Sequence, residues 1–170
     1  MNESEVYMEK TNSMEQPSDN NGKTKGYELL MLDNQLCFSL YVCSKEIIKK
    51  YKPLLDPFGL TYTGYIIMLA LWEEDNVTVK DLGKRLYLDS GTLTPMLKKL
   101  EAQNYIKRIR SSSDERNVFI QLNQKGRDLK KEAIKIPENL ICTLDLDPTH
   151  AGELLTGLHQ MMNKLETSEE

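Results

Sequence analysis

No stretch of this chain is long and apolar enough to span a bilayer. The longest apolar run, residues 65–72, falls far short of the roughly 20 residues a spanning helix needs, so no membrane partner is expected. The first residues lack the charged-then-apolar pattern and small-residue cleavage site of a secretory signal. Cysteine is scarce, three in 170 residues. That excludes a secreted disulfide scaffold and points to a cytoplasmic protein whose few thiols are open to chemistry. Histidine is scarcer still. His150 and His159 have no third ligand at a metal-binding spacing, so no metal site is expected. Glycine-rich phosphate loops, catalytic triads and paired carboxylates are all missing, which argues against an enzyme and against a cofactor. What is present is ordinary for one soluble globular domain: 28% charged and 39% hydrophobic residues.

The net charge of −4 conceals an asymmetry. Residues 78–116 carry nine Lys and Arg against five Asp and Glu, a local +4 that leaves −8 for the remainder. A local positive excess suits a phosphate backbone, because each neutralised phosphate releases counterions. Solvated helix faces show similar clusters, so the charge gains meaning only from the pattern that carries it.

Residues 1–30 are polar and acidic with little periodicity and read as a flexible N-terminal tail. Met8 and Met14 within it, and Met31 beyond it, are further candidate starts. From Asp33 the pattern turns helical. Leu36, Leu40, Ile47 and Tyr51 form one face and Lys45, Lys49, Lys50 and Lys52 another, with Asp33 or Asn34 as the expected N-cap. Pro53 and Pro57-Phe58-Gly59 are expected to end this helix. Thr61 caps a second, mostly apolar helix reaching about Glu73. Thr78 opens a short third helix, with Asp81 as the weaker half of a capping box.

Next comes Leu88-Asp89-Ser90-Gly91-Thr92-Leu93-Thr94-Pro95-Met96-Leu97-Lys98-Lys99-Leu100. Leu93, Met96, Leu97 and Leu100 lie on one helical face, while Ser90, Thr92, Thr94 and Lys98 lie largely off it. Pro95 is expected in the first turn, where its missing N–H costs nothing. A short helix followed closely by one that begins with hydroxyl side chains matches a helix-turn-helix. Its hydroxyls and Gly91 permit close approach to a groove, and Lys98 and Lys99 reach phosphates. Residues 105–110 and 117–122 alternate like strands and form a β-hairpin with a long loop. This hairpin carries Arg108 and Arg110, both expected to contact DNA, and reads as a wing able to place Arg116 in a minor groove. Two helical segments follow, about 123–142 and 148–165, the first kinked or broken by Pro137. The fold class is therefore mainly α with a β-hairpin wing (α+β), a winged helix-turn-helix.

This order of elements resembles the MarR family of bacterial regulators. The segment from Leu88 to Leu100 is very similar to the recognition region of its thiol-based branch, and Asp114-Glu115-Arg116 to its wing. Asn34-Gln35-Leu36-Cys37-Phe38, followed by Tyr51 and Thr61-Tyr62, resembles the organic hydroperoxide resistance regulators (OhrR). The likeness covers roughly residues 31–165. It implies a homodimer on a pseudo-palindromic double-stranded DNA operator, with residues 31–60 and 123–166 for dimerisation and 61–122 as the DNA-binding lobe. By resemblance, Ser90, Gly91, Thr92, Thr94, Pro95 and Lys98 face the major groove and its phosphates. Asp114 and Arg116 form the wing tip, with Asp114 orienting Arg116.

The resemblance also implies a switch. A small core residue is the commoner role for a helical cysteine, but the flanking motif makes Cys37 the peroxide-reactive thiol. With a cap at Asp33 or Asn34 it would lie near a helix N-terminus, whose dipole favours the attacking thiolate. The family's counterparts of Tyr51 and Tyr62 hydrogen-bond the reactive sulfur across the dimer, and Tyr41 lies nearby. Two-cysteine members carry a resolving thiol where Cys142 stands, which implies an intersubunit Cys37–Cys142 disulfide, whereas one-cysteine members cap the sulfur with a small thiol. Cys43, about 240° round the helix from Cys37, is read as structural. The leading expectation is a repressor released from its operator by a peroxide oxidant. The alternatives are a MarR repressor released by a phenolic or similar ligand, with incidental cysteines, and a thiol peroxidase, which would leave the helix-turn-helix and wing unexplained. The apolar neighbours Leu36, Phe38 and Leu40 favour an organic peroxide.

Overall fold

The computed structural model describes residues 27–111, 117–145 and 147–167. The expected wing-tip residues Asp114 and Arg116, and nearly all of the N-terminal tail, lie outside the described residues. The chain divides into two compact units between Tyr41 and Val42.

In the first unit, 3-10 turns at Tyr27–Leu30 and Leu32–Asn34 precede the long helix α1, Leu36–Leu55. The tail's last four residues are thus ordered into a turn. Neither Asp33 nor Asn34 caps α1. Asn34 turns back instead, its Nδ2 donating to the Glu28 carbonyl at 2.8 Å. Gln35, with extended φ −95° and ψ 105°, occupies the capping position, and its carbonyl accepts from the Ser39 amide at 3.1 Å.

In the second unit α1 continues through Pro53 to Leu55, two residues further than a proline stop implies. A 3-10 turn at Asp56–Phe58 and left-handed Gly59 (φ 64°) then reverse the chain. Helix α2, Tyr62–Glu73, is apolar nearly all round and is correspondingly the core of the unit, burying Tyr65, Ile67, Met68, Ala70 and Leu71. Thr61 caps it, accepting from the Gly64 amide at 3.2 Å. Thr78 likewise accepts from the Asp81 amide at 3.1 Å to open α3, Val79–Leu86, while its hydroxyl donates to the Asp81 carboxylate. Helix α3 lies tightly against the following turn. A Cβ on Gly83 would sit 2.9 Å from the Leu88 carbonyl oxygen, so only glycine fits there. Helix α4, Ser90–Ala102, buries Leu93, Leu97 and Leu100 at the expected spacing.

Strands β2, Ile106–Arg110, and β3, Val118–Leu122, form the hairpin, pairing antiparallel from Ile106↔Leu122 to Arg110↔Val118. A two-residue strand β1, Val77–Thr78, adds to the other edge of β3, giving the order β1-β3-β2. Helices α5, Gln124–Ala133, and α6, Lys135–Leu144, meet at Ile134. Pro137 explains the break: it offers no N–H to the Ala133 carbonyl, and its ring crowds that group. Helix α7, Pro148–Glu166, buries no residue, although Leu154, Leu155, Met162 and Leu165 are all exposed on it. No single described helix is long and apolar enough to cross a membrane.

Candidate nucleic-acid interface and thiol positions

The start of α4 is built by Asp89. Its Oδ1 accepts from the Thr92 amide at 2.9 Å and its Oδ2 from the Thr92 hydroxyl at 3.0 Å. These bonds, the backbone one foremost, hold the Asp89 carboxyl below the usual carboxylate range. Because Leu93, Leu97 and Leu100 fix one side of α4 in the core, Ser90, Gly91, Thr92, Pro95, Lys98 and Lys99 are exposed on the rest, with Thr94 half-buried. Pro95 is the sixth helical residue, beyond the first turn, so the Gly91 carbonyl lacks its usual i+4 partner. The resulting surface offers hydroxyls and a glycine at the helix's positive end and two ammonium groups further along it, a chemistry suited to phosphates and base edges.

On the wing Arg110 is exposed, but Arg108 is engaged. Its Nε and Nη2 donate to Glu101 Oε2 at 2.8 and 2.7 Å, and its amide donates to Glu101 Oε1 at 3.1 Å. Thr78, Lys80, Thr94, Arg108 and Asn117 line part of a cleft of about 240 Å³ between the start of α3, α4 and the wing.

Cys37 is the second residue of α1, and Cys142 lies in the second half of α6. Both are free and exposed, as is Cys43, which is therefore not a packing residue within this chain. Leu36 and Phe38 beside Cys37 are exposed too. The Tyr51 and Tyr62 rings pack 4.9 Å apart at 53°, and Tyr65 lies 5.7 Å from Tyr51. Burial, reinforced by Tyr62 and Tyr65, pushes the Tyr51 phenol up to about 12, so it remains a hydrogen-bond donor at neutral pH. Burial also raises Tyr65. Tyr41 is largely exposed. His150 faces Asp147 at 3.8 Å, and no cluster of metal-ligating side chains occurs among the described residues.

Residues 49–133 match the family described as transcriptional regulator SarA/Rot. The organic hydroperoxide resistance transcriptional regulator of Bacillus subtilis (strain 168) is 45% identical over 139 residues, covering 82% of this chain and 95% of that protein. The HTH-type transcriptional regulator SarZ of Staphylococcus saprophyticus is 48% identical over 133 residues, covering 78% and 91%. Among solved structures, reduced AbfR bound to DNA superposes with TM-score 0.72 at 34% identity, covering 86% of this chain and 100% of that one. Disulfide-formed AbfR superposes with TM-score 0.59 at 35% identity, covering 82% and 93%.

The chain belongs to the SarA/Rot family of transcriptional regulators.

It is a regulator of the OhrR/SarZ type, and its fold is the winged helix of the MarR regulators. Within this regulator the structure brings Tyr51 and Tyr62 into ring contact and gathers Ser90, Gly91, Thr92, Pro95, Lys98 and Lys99 on one exposed surface. Arg108 stands apart, held against α4 by Glu101. The Glu101 pairing escaped the sequence reading, yet strand alternation signals it. Ile106 is buried, so Arg108, two residues on, is directed to the same side. Tyr65 was also missed as a neighbour of Tyr51; its spacing of three from Tyr62 on a helix was the available signal.

Proposed function

We propose that this regulator binds a pseudo-palindromic operator as a homodimer and releases it when a peroxide oxidises Cys37. The observation that carries the reading is the Asp89-capped start of α4, which presents Ser90, Gly91, Thr92 and Pro95 with Lys98 and Lys99 close behind. These residues and Thr94 enter a major groove and touch its phosphates; Arg110 adds a contact from the wing, and Asp114 and Arg116, outside the described residues, complete the proposed DNA-binding set. Dimerisation uses residues 31–60 and 123–166, around the DNA-binding lobe 61–122. The unburied apolar side chains of α7 and the exposed Leu36, Phe38 and Ile48 of α1 support that assignment, since surfaces of this kind mark association. A DNA partner places the protein in the cytoplasm.

In the switch, the Cys37 thiolate attacks the peroxide ROOH. An S–O bond forms as the O–O bond breaks, and the alkoxide leaves as ROH after taking a proton, leaving a sulfenic acid. The thiolate of Cys142 from the other subunit then attacks that sulfur. An S–S bond forms and hydroxide leaves as water. Across the dimer interface, Tyr51 and Tyr62, with Tyr41 nearby, donate to the Cys37 sulfur before oxidation. The exposure of Cys37 and Cys142 supports access for oxidant and partner thiol, and AbfR, solved reduced on DNA and in a disulfide form, supplies a related precedent. The relative named for organic hydroperoxide resistance favours an organic oxidant. A second reading is release by a small phenolic or similar ligand with incidental cysteines; the cleft of about 240 Å³ beside Thr94 and Arg108 offers room for a small molecule.

The test is non-reducing mass analysis before and after one equivalent of organic hydroperoxide, beside a DNA-retention assay. The expected result is a Cys37–Cys142 crosslinked dimer that loses DNA and regains it with reductant. Oxidised, uncrosslinked Cys37 with DNA released would replace Cys142 by a small thiol. An unmodified Cys37 would overturn the redox reading and leave the ligand-responsive one.

A further inference from the structure

Outside the surfaces above, a polar cluster lies where the wing returns to the C-terminal helices. Asp75, in the turn after α2, accepts from the Leu122 amide at 2.8 Å through Oδ1 and from Arg127 Nη1 at 2.6 Å through Oδ2. Arg127, in α5, donates through Nη2 to the Leu122 carbonyl at 2.7 Å. The carboxylate and guanidinium thus close a ring on both polar groups of one peptide residue, the last of β3. Beside it, Trp72 Nε1 donates to the Gly126 carbonyl at 2.8 Å, and Lys130 Nζ to the Trp72 carbonyl at 2.8 Å. Gly126 approaches so closely that a Cβ there would fall 2.2 Å from the Tyr105 carbonyl oxygen.

Only Asn123 separates β3 from α5. This one-residue link, extended at φ −80° and ψ 169°, is itself fastened to the β2 side: its amide donates to the Tyr105 carbonyl at 2.9 Å and its Nδ2 to the Ile106 carbonyl at 3.0 Å. The ring adds the matching tie on the β3 side. Arg127 ties α5 to the end of β3, and Asp75 ties both to α2. A displacement of α5 therefore reaches the paired strands β2 and β3 instead of being absorbed at Asn123.

We propose that Asp75 and Arg127 are positioning residues that couple the C-terminal helices to the wing, so that strain applied at α6 on oxidation shifts the wing off its DNA spacing. This rests on the redox reading, and neither residue touches DNA or the thiols in that reading. Asp75→Asn keeps an acceptor for the Leu122 amide but removes the charge pair. Arg127→Lys keeps the charge but cannot fork to both partners. With each variant, and with wild type, three quantities are measured: peroxide oxidation of Cys37 by mass, operator affinity of the reduced protein, and operator affinity of the oxidised protein. Both variants are expected to oxidise at the wild-type rate and to bind DNA when reduced within about threefold of wild type. Their loss of affinity on oxidation should be smaller than wild type's by about tenfold. Trp72, the only tryptophan in the chain, gives an independent signal: its emission should change on oxidation in wild type and little in the variants.

Variants that release DNA on oxidation as fully as wild type would overturn the coupling role while leaving the switch intact. So would reduced variants that have already lost more than about tenfold in affinity, since the ring would then merely build the wing. A wild type that keeps DNA after Cys37 is oxidised would overturn the switch and the coupling together.

Discussion

The lobe from α2 to β3 and the terminal helix α7 are both rich in leucine and methionine, yet they use them in opposite ways. In the lobe, Ile67, Met68, Leu71, Leu82, Leu93, Leu97, Leu100, Ile106 and Ile120 are almost fully buried within one chain. In α7 nothing is buried, and Leu165 is 62% exposed. The chemistry divides the same way: the basic excess belongs to the lobe and the wing, whereas all three cysteines lie outside it. The lobe is complete as a single chain. The helical ends carry apolar surface suited to a second chain, and in the proposed switch thiol chemistry placed there changes the pairing without dismantling the proposed DNA-reading surface.

The contrast is most sharply tested by truncating one leucine on each side. Leu97→Ala should cost about 2–5 kcal/mol of unfolding free energy by leaving a cavity in the lobe. Leu155→Ala should leave that within about 0.5 kcal/mol at concentrations where the chain is monomeric, and should instead raise the concentration at which dimers form. Chemical denaturation and sedimentation together read both. Equal loss of folding stability in the two variants would erase the distinction.

A second cut is made on charge. Lys98→Ala should weaken operator binding and reduce the slope of log affinity against log salt by about 1 per subunit, with no effect on folding. Smaller still, Thr78→Ala removes the cap of α3 and should cost about 1 kcal/mol, measured by thermal melting. Confined to alkaline solution is an effect at Tyr51. Its phenol is raised from 10 to about 12 in the folded chain, so above pH 10 the unfolded chain ionises first and stability declines as pH rises toward 12. Tyr51→Phe should remove that part of the decline.

Much of the lobe was legible because its local signals agree with one another. Thr61 and Thr78 announce helix starts and make the expected capping bonds. Leu93, Leu97 and Leu100 recur at helical spacing and are buried. The sequence reading fell short where structure depends on residues distant in the chain. Strand β1 has two residues and exists because Val77 and Thr78 pair with Ile120 and Phe119. Asn34 looked like a cap but is drawn back to Glu28. Arg108 was expected on DNA, yet its guanidinium is paired with Glu101. The break at Ile134 precedes the proline that causes it, since the damage falls on the carbonyl four residues earlier. Of the thiol site, the motif around Cys37 was readable, while its exposure was not, because burial depends on what the rest of the chain places over it.

The most direct test of the central claim is operator retention by wild type and Cys37→Ser, titrated with organic hydroperoxide and then with reductant. Wild type should leave DNA as Cys37 is consumed and return on reduction, while Cys37→Ser stays bound throughout. A Cys37→Ser protein that leaves DNA at the same peroxide concentration as wild type would contradict the account.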